Sequence, residues 1–218
     1  MPFIQLLVLA GIAVFLILRL KNVLGTREGF EKPPVTGQPR QDALERSGFE
    51  VIEGGPDPDI TDHVAEDSPA ANALAQMKRA EPDFSVSEFL GGARQAYEMI
   101  LMGFERGDLA EIKPFLSDEV YDSFAEGVHA REANGLTIEA DFIGLRELSL
   151  ADAGFDPDTG LAELTVRYVG QLTQVVRDRS GEIVEGEPGK VKTQKDVWTF
   201  ERRMGSDDLN WQLVATGE

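Results

Sequence analysis

Three stretches of the chain differ in how hydrophobic and polar positions follow one another. From Phe3 to Leu18 every residue except Gln5 is apolar or glycine. Residues 33–82 are rich in proline and acidic side chains. After residue 83 apolar residues recur every three or four positions, and beyond Gly135 they recur every second position. This order is typical of an apolar helix, a polar linker, and a domain whose helices precede its strands.

The apolar run at the start predicts a membrane anchor over residues 1–24. A helix from Met1 to Leu20 would be about 30 Å long, which matches the hydrocarbon core of a bilayer. The alternative, a buried amphipathic helix, would show a polar face, and this run has none. We therefore expect the chain to contact the lipid bilayer through this helix as a single-pass protein.

Basic residues follow the apolar run rather than preceding it, namely Arg19, Lys21, Arg27 and Lys32. A cleaved signal peptide has the opposite arrangement, and a mitochondrial transit peptide is amphipathic and rich in Arg and Ser. The positive-inside rule then places the N-terminus outside and the rest of the chain in the cytoplasm. The expected location is the bacterial inner membrane.

Residues 25–82 are predicted to be an acidic, proline-rich tether. Residues 33–82 hold seven of the eleven prolines, and their charges are ten acidic against four basic. Such a composition buries too little apolar surface to offset the entropy of ordering. One short helix is expected near residues 69–80, with Ser68 as N-cap and Pro69 at the first position. Its apolar residues Leu74 and Met77 could dock on the domain or on a partner.

The folded domain is predicted to begin at residue 83 and to extend to residue 218. Ser85 and Glu88 form a capping box for a helix that Gly107 ends. A short helix is expected from Asp108, and a third helix from Ser117 to Asn134. Period-two patterns then predict four strands, at Leu136–Leu150, Leu161–Val176, Val191–Arg202 and Trp211–Thr216.

Helices followed by consecutive strands predict an α+β fold, with about three helices on one face of an antiparallel sheet of about four strands. A twisted sheet covered on one face can curl into a cone with an apolar pocket. The aromatic residues expected in the core or along such a pocket are Tyr97, Phe104, Tyr121, Phe124, Tyr168, Trp198 and Trp211.

Composition and charge exclude several kinds of function. The net charge of −18 disfavours nucleic acid as a partner, because phosphates are bound by Lys and Arg. The absence of cysteine excludes thiolate catalysis and cysteine-ligated metals. His129 is expected on the surface, Asp156 and Asp158 are interpreted as a hairpin turn, and no metal site, cofactor or catalytic residue is predicted.

The domain also resembles a known family. Aromatic and small residues lie in an order and at spacings similar to those of the Tim44-like domain, and the resemblance covers about residues 83–218. It is carried by Phe84, Phe89, Leu90, Ala93 and Tyr97, by Phe104, Gly107, Asp108 and Leu109, by Phe115–Ser117, Val120 and Tyr121, by Val176–Asp178, by Asp196, Trp198 and Phe200–Arg202, and by Asn210, Trp211 and Leu213–Thr216.

The resemblance implies a cone-shaped fold similar to that of the nuclear-transport-factor-two superfamily. It also implies a scaffold, since the mitochondrial family member organises protein import at the inner membrane and recruits a chaperone. The short, membrane-anchored bacterial members, which this chain resembles, are described as adaptors. The expected partner is an unidentified protein, belonging to translocation or chaperone machinery.

Three hypotheses of function remain at this stage. The first is a non-catalytic adaptor that binds protein partners at the cytoplasmic face of the membrane, in protein translocation or membrane-protein handling. The second is a pocket that binds a lipid tail or a small apolar ligand. The third is a pocket enzyme, which rests only on analogy with other proteins of the cone fold.

Overall fold

The computed structural model describes residues 57–217. Within these residues, four α-helices precede the sheet: α1 (Pro58–Thr61), α2 (Pro69–Ala80), α3 (Val86–Arg106) and α4 (Asp118–Ala133). A single 3-10 turn, Lys113–Phe115, separates α3 from α4. The short helix predicted from Asp108, with Pro114 interrupting it, is therefore wrong: residues 110–112 form a turn, and the one helical element here is the 3-10 turn that contains Pro114. Too few residues precede Pro114 to form the hydrogen-bonded turns of an α-helix.

Serine side chains fix where the three longer helices begin. Ser68, Ser85 and Ser117 each accept a hydrogen bond from the backbone N–H three residues later, at 3.1, 3.3 and 3.3 Å. Gly107 ends α3 with a φ of 78°, a left-handed conformation that glycine adopts without steric cost. Each of these signals depends only on residues close in the sequence. The predicted helix starts at Ser68, Ser85 and Ser117 and the predicted helix end at Gly107 are confirmed.

Four strands follow the helices: β1 (Thr137–Asp156), β2 (Leu161–Arg177), β3 (Ile183–Arg203) and β4 (Gln212–Gly217). They form one sheet in the order β1-β2-β3-β4, and each neighbouring pair is antiparallel. The prediction of an α+β domain with a four-stranded antiparallel sheet is confirmed. β1 and β3 are longer than predicted, since their extra residues are largely exposed and lack a hydrophobic period.

The first half of β3 lies at an edge of the sheet. β4 pairs only with Val197–Glu201, so within the described chain no strand pairs with the outer edge of β3 before Val197. The pairing with β2 is also interrupted by a bulge, because residues 187–190 have no partner opposite Gln174. Gly186, with a φ of 83°, precedes this bulge, and a Cβ atom there would collide with the carbonyl oxygen of Gln174.

The core lies between the helices and the inward face of β2 and β3. Tyr97 of α3 and Tyr168 of β2 are completely buried at its centre. Leu74 and Met77 of α2 are also completely buried, so this helix docks on the domain. Ile60 of α1 joins the same core, which therefore includes residues that the sequence analysis assigned to the tether.

Residues 1–24, most of the tether, and the orienting residues Arg19, Lys21, Arg27 and Lys32 lie outside the described residues. Within residues 57–217 no helix is both long and apolar enough to cross a membrane. The membrane anchor, its orientation and the tether therefore stay predictions.

Candidate functional site

A groove of about 600 Å³ opens between the start of α3 and the end of β3. Residues 81–85 form one rim, and the connection between β3 and β4 forms the other. The two sides meet because α3 lies across the sheet with Phe89 facing Phe200. Five aromatic side chains line the groove: Phe84, Phe89, Phe115, Phe200 and Trp211.

Trp211 is the centre of this aromatic lining. Its ring lies 4.8 Å from that of Phe89, edge to face, and 6.1 Å from that of Phe84. The Phe89 ring in turn lies 6.0 Å from that of Phe200. Trp211 is half-buried, while Leu209 in the same connection is 67% exposed. The groove therefore presents an apolar surface with a floor of packed aromatic rings.

One cation is buried at the groove. The guanidinium of Arg202 lies 5.1 Å from the centre of the Trp211 ring and pairs with Glu81 at 2.7 Å. The Arg202 side chain is only 5% exposed, and among the described residues its Nε atom has no hydrogen-bond partner. Burial opposes ionisation of Glu81, but the hydrogen bonds from the Gly205 N–H and from Arg202 outweigh it and lower the pKa of this carboxyl.

The rim of the groove carries negative charge. Asp83 and Glu88 line it and are exposed, whereas the charge of Glu81 is balanced by Arg202. An apolar floor with an acidic rim favours apolar partners that carry positive charge beside their apolar side chains, and disfavours anionic ones.

Three of the predicted pocket residues form a packed stack in the core. The ring of Tyr97 lies 4.4 Å from that of Tyr168, nearly parallel to it, and 4.8 Å from that of Trp198. The Tyr97 hydroxyl donates to Asp196 at 2.6 Å, and the Tyr168 hydroxyl donates to the Ala93 carbonyl at 3.3 Å. Burial, strengthened by Asp196, raises the pKa of both tyrosines, so both are neutral.

Three others lie where α4 covers the C-terminal half of α3. Phe104 and Phe124 pack with their ring centres 4.6 Å apart, and Arg131 lies over the Phe104 ring. Tyr121 is half-buried, and the Nζ atom of Lys113 lies over its ring, 4.6 Å from the ring centre. These residues hold α4 in place and do not line the groove.

Of the seven predicted pocket residues, the structure therefore places only Trp211 at the groove. Phe84 and Phe89 occupy the two positions of a hydrophobic staple around the start of α3, but from the sequence they were named only among the residues that carry the resemblance to the family. That staple was the available signal, because it places two large apolar side chains beside a helix start. A ligand-binding role for each of the seven stays a prediction.

The described residues show little that could hold a metal or move a proton at the groove. Both histidines are in the described part, and neither His63 nor His129 lines the groove. Among residues 57–217 no group of three or more His, Cys, Asp or Glu side chains is placed to hold a metal ion. The arrangement is suited to binding, through aromatic contacts and one buried cation.

Comparison with known proteins gives relatives of one kind. Human mitochondrial import inner membrane translocase subunit TIM44 is 28% identical over 149 residues, which are 66% of this chain and 32% of that protein. Arabidopsis thaliana TIM44-1, a subunit of the same name, is 20% identical over 161 residues, which are 71% of this chain and 34% of that protein. The matched part thus spans about a third of the length of these relatives.

Among solved structures, the intermembrane space region of the chloroplast protein ARC6 matches with a TM-score of 0.38 at 14% identity, covering 56% of this chain and 88% of that one. A periplasmic fragment of TraM matches with a TM-score of 0.38 at 15% identity, covering 61% and 96%. The family model described as the Tim44-like domain matches residues 70–218. The match covers most of the chain, from α2 onwards, and the chain belongs to the Tim44-like domain family.

Proposed function

We propose that this chain is a non-catalytic adaptor that binds a segment of a partner protein in the groove between α3 and the end of β3. The observation that carries the proposal is the aromatic lining around Trp211, together with the buried Arg202. Trp, Tyr and Arg side chains in desolvated pockets supply most of the binding energy at protein interfaces. The groove offers such anchors on a floor whose rings pack against the core.

The chemistry of the groove defines the partner segment. The acidic rim, formed by Asp83 and Glu88, favours a segment whose apolar side chains are flanked by Lys or Arg. Residues 83–218 carry 27 acidic and 13 basic side chains, so the surrounding surface steers the same kind of segment towards the groove.

The relatives support a role in protein translocation or membrane-protein handling. The human and Arabidopsis proteins are named as subunits of the mitochondrial import inner membrane translocase. Because the match covers only about a third of each, we carry over the association with translocation machinery and no particular partner or chaperone contact.

The N-terminal sequence supports a place for this adaptor at the cytoplasmic face of the bacterial inner membrane. An anchor at residues 1–24 would raise the effective concentration of the domain for membrane-bound partners. Modest contacts in the groove would then suffice for capture.

Binding to defined peptides tests the groove. We expect a fluorescent peptide of alternating Leu, Phe and Lys to bind the full chain more tightly than its Glu-for-Lys counterpart. Trp211→Ala should weaken binding of the Lys peptide by at least about tenfold, as for the loss of an interface anchor. Fluorescence anisotropy measures both affinities.

Phe124→Ala is the matched control for this experiment. It removes an aromatic ring of similar exposure from the α3–α4 contact, outside the groove, and should leave the peptide affinity unchanged. Equal affinities for the two peptides, or equal losses in the two variants, would contradict the proposal.

A second candidate function is binding of a lipid tail or a small apolar ligand. It is favoured by one observation, the apolar aromatic floor of a groove of about 600 Å³. Native mass spectrometry of the full chain, purified from lipid-rich extract in mild detergent, would show an added mass if this function is correct. An enzyme function is supported by no residue pair that we can assign at the groove.

A further inference from the structure

A short segment N-terminal to the family match is fastened directly to the rim of the groove. Residues 57–64, here called the strap, comprise Asp57, helix α1 and the turn that follows it. The family model begins at residue 70, so the strap lies outside the matched region. It is the part of the described chain that continues into the N-terminal residues.

The strap binds the start of α3 through one carboxylate. Asp59 accepts hydrogen bonds from the backbone N–H groups of Val86 and Ser87, at 2.8 and 3.0 Å, and from the Ser85 hydroxyl, at 3.1 Å. A carboxylate in this place is favoured because the first N–H groups of a helix lack partners within the helix. Asp59 therefore caps a helix that begins 27 residues later.

A lysine from α2 completes this arrangement. Lys78 Nζ lies 2.7 Å from Asp57 and 2.8 Å from Asp59, so one ammonium group holds both carboxylates of the strap. His63 contacts the Ser87 hydroxyl at 3.1 Å and adds a further link to the same helix turn. The strap is thus bound at three points to α2 and α3.

The same contacts reach the groove. Ser85, which donates to Asp59, lines the groove, and so does its neighbour Phe84, whose ring faces Trp211. A change in the position of the strap would therefore act on the backbone that carries one rim.

The strap buries little apolar surface compared with the helices that follow it. Ile60 is its single buried side chain, Val64 packs against the core while partly exposed, and its other contacts are hydrogen bonds and ion pairs at partly exposed groups. Segments with few buried apolar contacts open locally at low free-energy cost. The bound and released forms of the strap can then both be populated without unfolding the core.

We propose that the strap is a releasable clamp that fixes the groove rim in its binding shape, so that release of residues 57–64 loosens Phe84 and Ser85. The inference goes beyond the proposed function, because it concerns the mobility of the rim and does not depend on which ligand the groove takes. Since coupling is reciprocal, anything that fills the groove and orders the rim also favours the bound strap.

The test breaks the ion pairs of the strap in the full chain, with no ligand present. In Lys78→Gln, hydrogen exchange in residues 57–64 and in residues 84–89 should accelerate together, by about tenfold as for the loss of a charged partner. Exchange in the centre of β2 should stay unchanged. Mass spectrometry of peptides from the exchanged protein measures all three regions.

A second readout follows the groove itself. The chain has two tryptophans, Trp198 in the core and Trp211 in the groove, so protein labelled with 5-fluorotryptophan gives two ¹⁹F resonances. Lys78→Gln should shift or broaden the Trp211 resonance and leave that of Trp198 in place. Lys190→Gln is the matched control, because it breaks a 2.7 Å pair with Glu187 on the exposed part of β3.

Three results would overturn the proposal. Exchange that rises in the strap while residues 84–89 and the Trp211 resonance stay unchanged would show that the strap is not coupled to the groove. Unchanged exchange in both regions would show that Lys78 does not hold the strap. If Lys78→Gln also raises exchange in β2, Asp59→Asn takes its place in the test, since it removes the charge from the same contact. The proposal is contradicted if, in Asp59→Asn, exchange does not rise in residues 57–64 and 84–89 together while that of β2 stays unchanged.

Discussion

At the scale of single residues, one glycine determines how closely the helices approach the sheet. A Cβ atom at Gly170 of β2 would lie 2.8 Å from the hydroxyl oxygen of Tyr97 and 3.1 Å from its Cε1 atom. Tyr97 cannot move aside easily, because it is completely buried between Tyr168 and Trp198. The missing side chain is thus what lets the Tyr97 ring rest on β2.

We therefore expect Gly170→Ala to destabilise the protein by about 1–3 kcal/mol, the usual cost of overpacking a core. Urea denaturation followed by circular dichroism measures the change. Gly154→Ala in β1 is the control, because a Cβ atom there meets nothing closer than 3.8 Å. Equal destabilisation in the two variants would show that contact with Tyr97 is not the cause.

Glu105 is a second residue whose environment has a measurable consequence. It is buried near the end of α3 and accepts a hydrogen bond from Gln174 at 2.7 Å. Burial raises the pKa of this carboxyl; Gln174, Arg131 and Lys192 offset the effect only in part, and Glu185 adds to it.

A raised pKa in the folded state means that folding favours the protonated carboxyl. This contribution to stability is complete below the ordinary pKa of a glutamate, 4.5, and is lost as the pH rises through the higher pKa of the folded state. Glu105→Gln should therefore lose less stability than the wild type as the pH rises from 4 to 8. Urea titrations at each pH measure this, and parallel curves would contradict the assignment.

The residue scale also shows where sequence reasoning fell short. Periodicity correctly placed Tyr97, Tyr168 and Trp198 on inward faces. It could not show that their rings stack on one another and fill the space that a pocket would need. That outcome depends on contacts between residues up to 101 positions apart, about which a local pattern carries no information.

At the scale of elements, local signals predicted where the long helices begin better than where the strands begin and end. The helix starts at Ser68, Ser85 and Ser117 are confirmed, because a cap is recognised from three or four neighbouring residues. β3 begins earlier than predicted, at Ile183, since its first half is exposed and its pairing with β2 is a long-range contact. Exposed strands lack the alternation on which such predictions rest.

The link between α2 and β3 is an element-scale contact that can be tested. Glu81, directly after α2, pairs with Arg202 near the end of β3, and both side chains are largely buried. Glu81→Gln leaves a buried guanidinium without its counter-ion and should cost about 3 kcal/mol of stability. Thermal and urea denaturation measure the loss.

Glu139→Gln provides the comparison for this prediction. It removes the carboxylate from the 3.0 Å pair with Arg177, in which Glu139 is 62% exposed. Exposed pairs contribute about 0–1 kcal/mol, so this variant should be close to the wild type. A small effect of Glu81→Gln, similar to that of Glu139→Gln, would mean that the α2–β3 link does not depend on the charge.

At the scale of the whole molecule, the sequence predicted the domain class and the family, whereas the site needed three-dimensional structure. The groove combines residues 81–89, Arg202 and Trp211, which are brought together only by the packing of α3 on the sheet. Its acidic rim and apolar floor lie on separate segments, so no single motif could have identified it.

The membrane anchor is the whole-molecule prediction that most affects function. We expect the full chain to remain in the membrane pellet after alkaline carbonate extraction, and a variant lacking residues 1–24 to move to the supernatant. A reporter enzyme that works only in the cytoplasm should be active when fused after residue 218, and one that works only outside the cytoplasm should be inactive there. The reason is that Arg19, Lys21, Arg27 and Lys32 follow the apolar run. A full chain found in the supernatant would exclude the anchor.

The bulge at residues 187–190 of β3 has a consequence for how copies of this protein can coexist. An open strand edge pairs readily with the edge of another molecule, and the hazard grows with local density. Residues 187–190 have no partner in β2, and Pro188 offers no N–H group to a neighbouring strand. The part of the edge around this bulge is therefore a poor template for pairing with a second copy, even where the protein is concentrated.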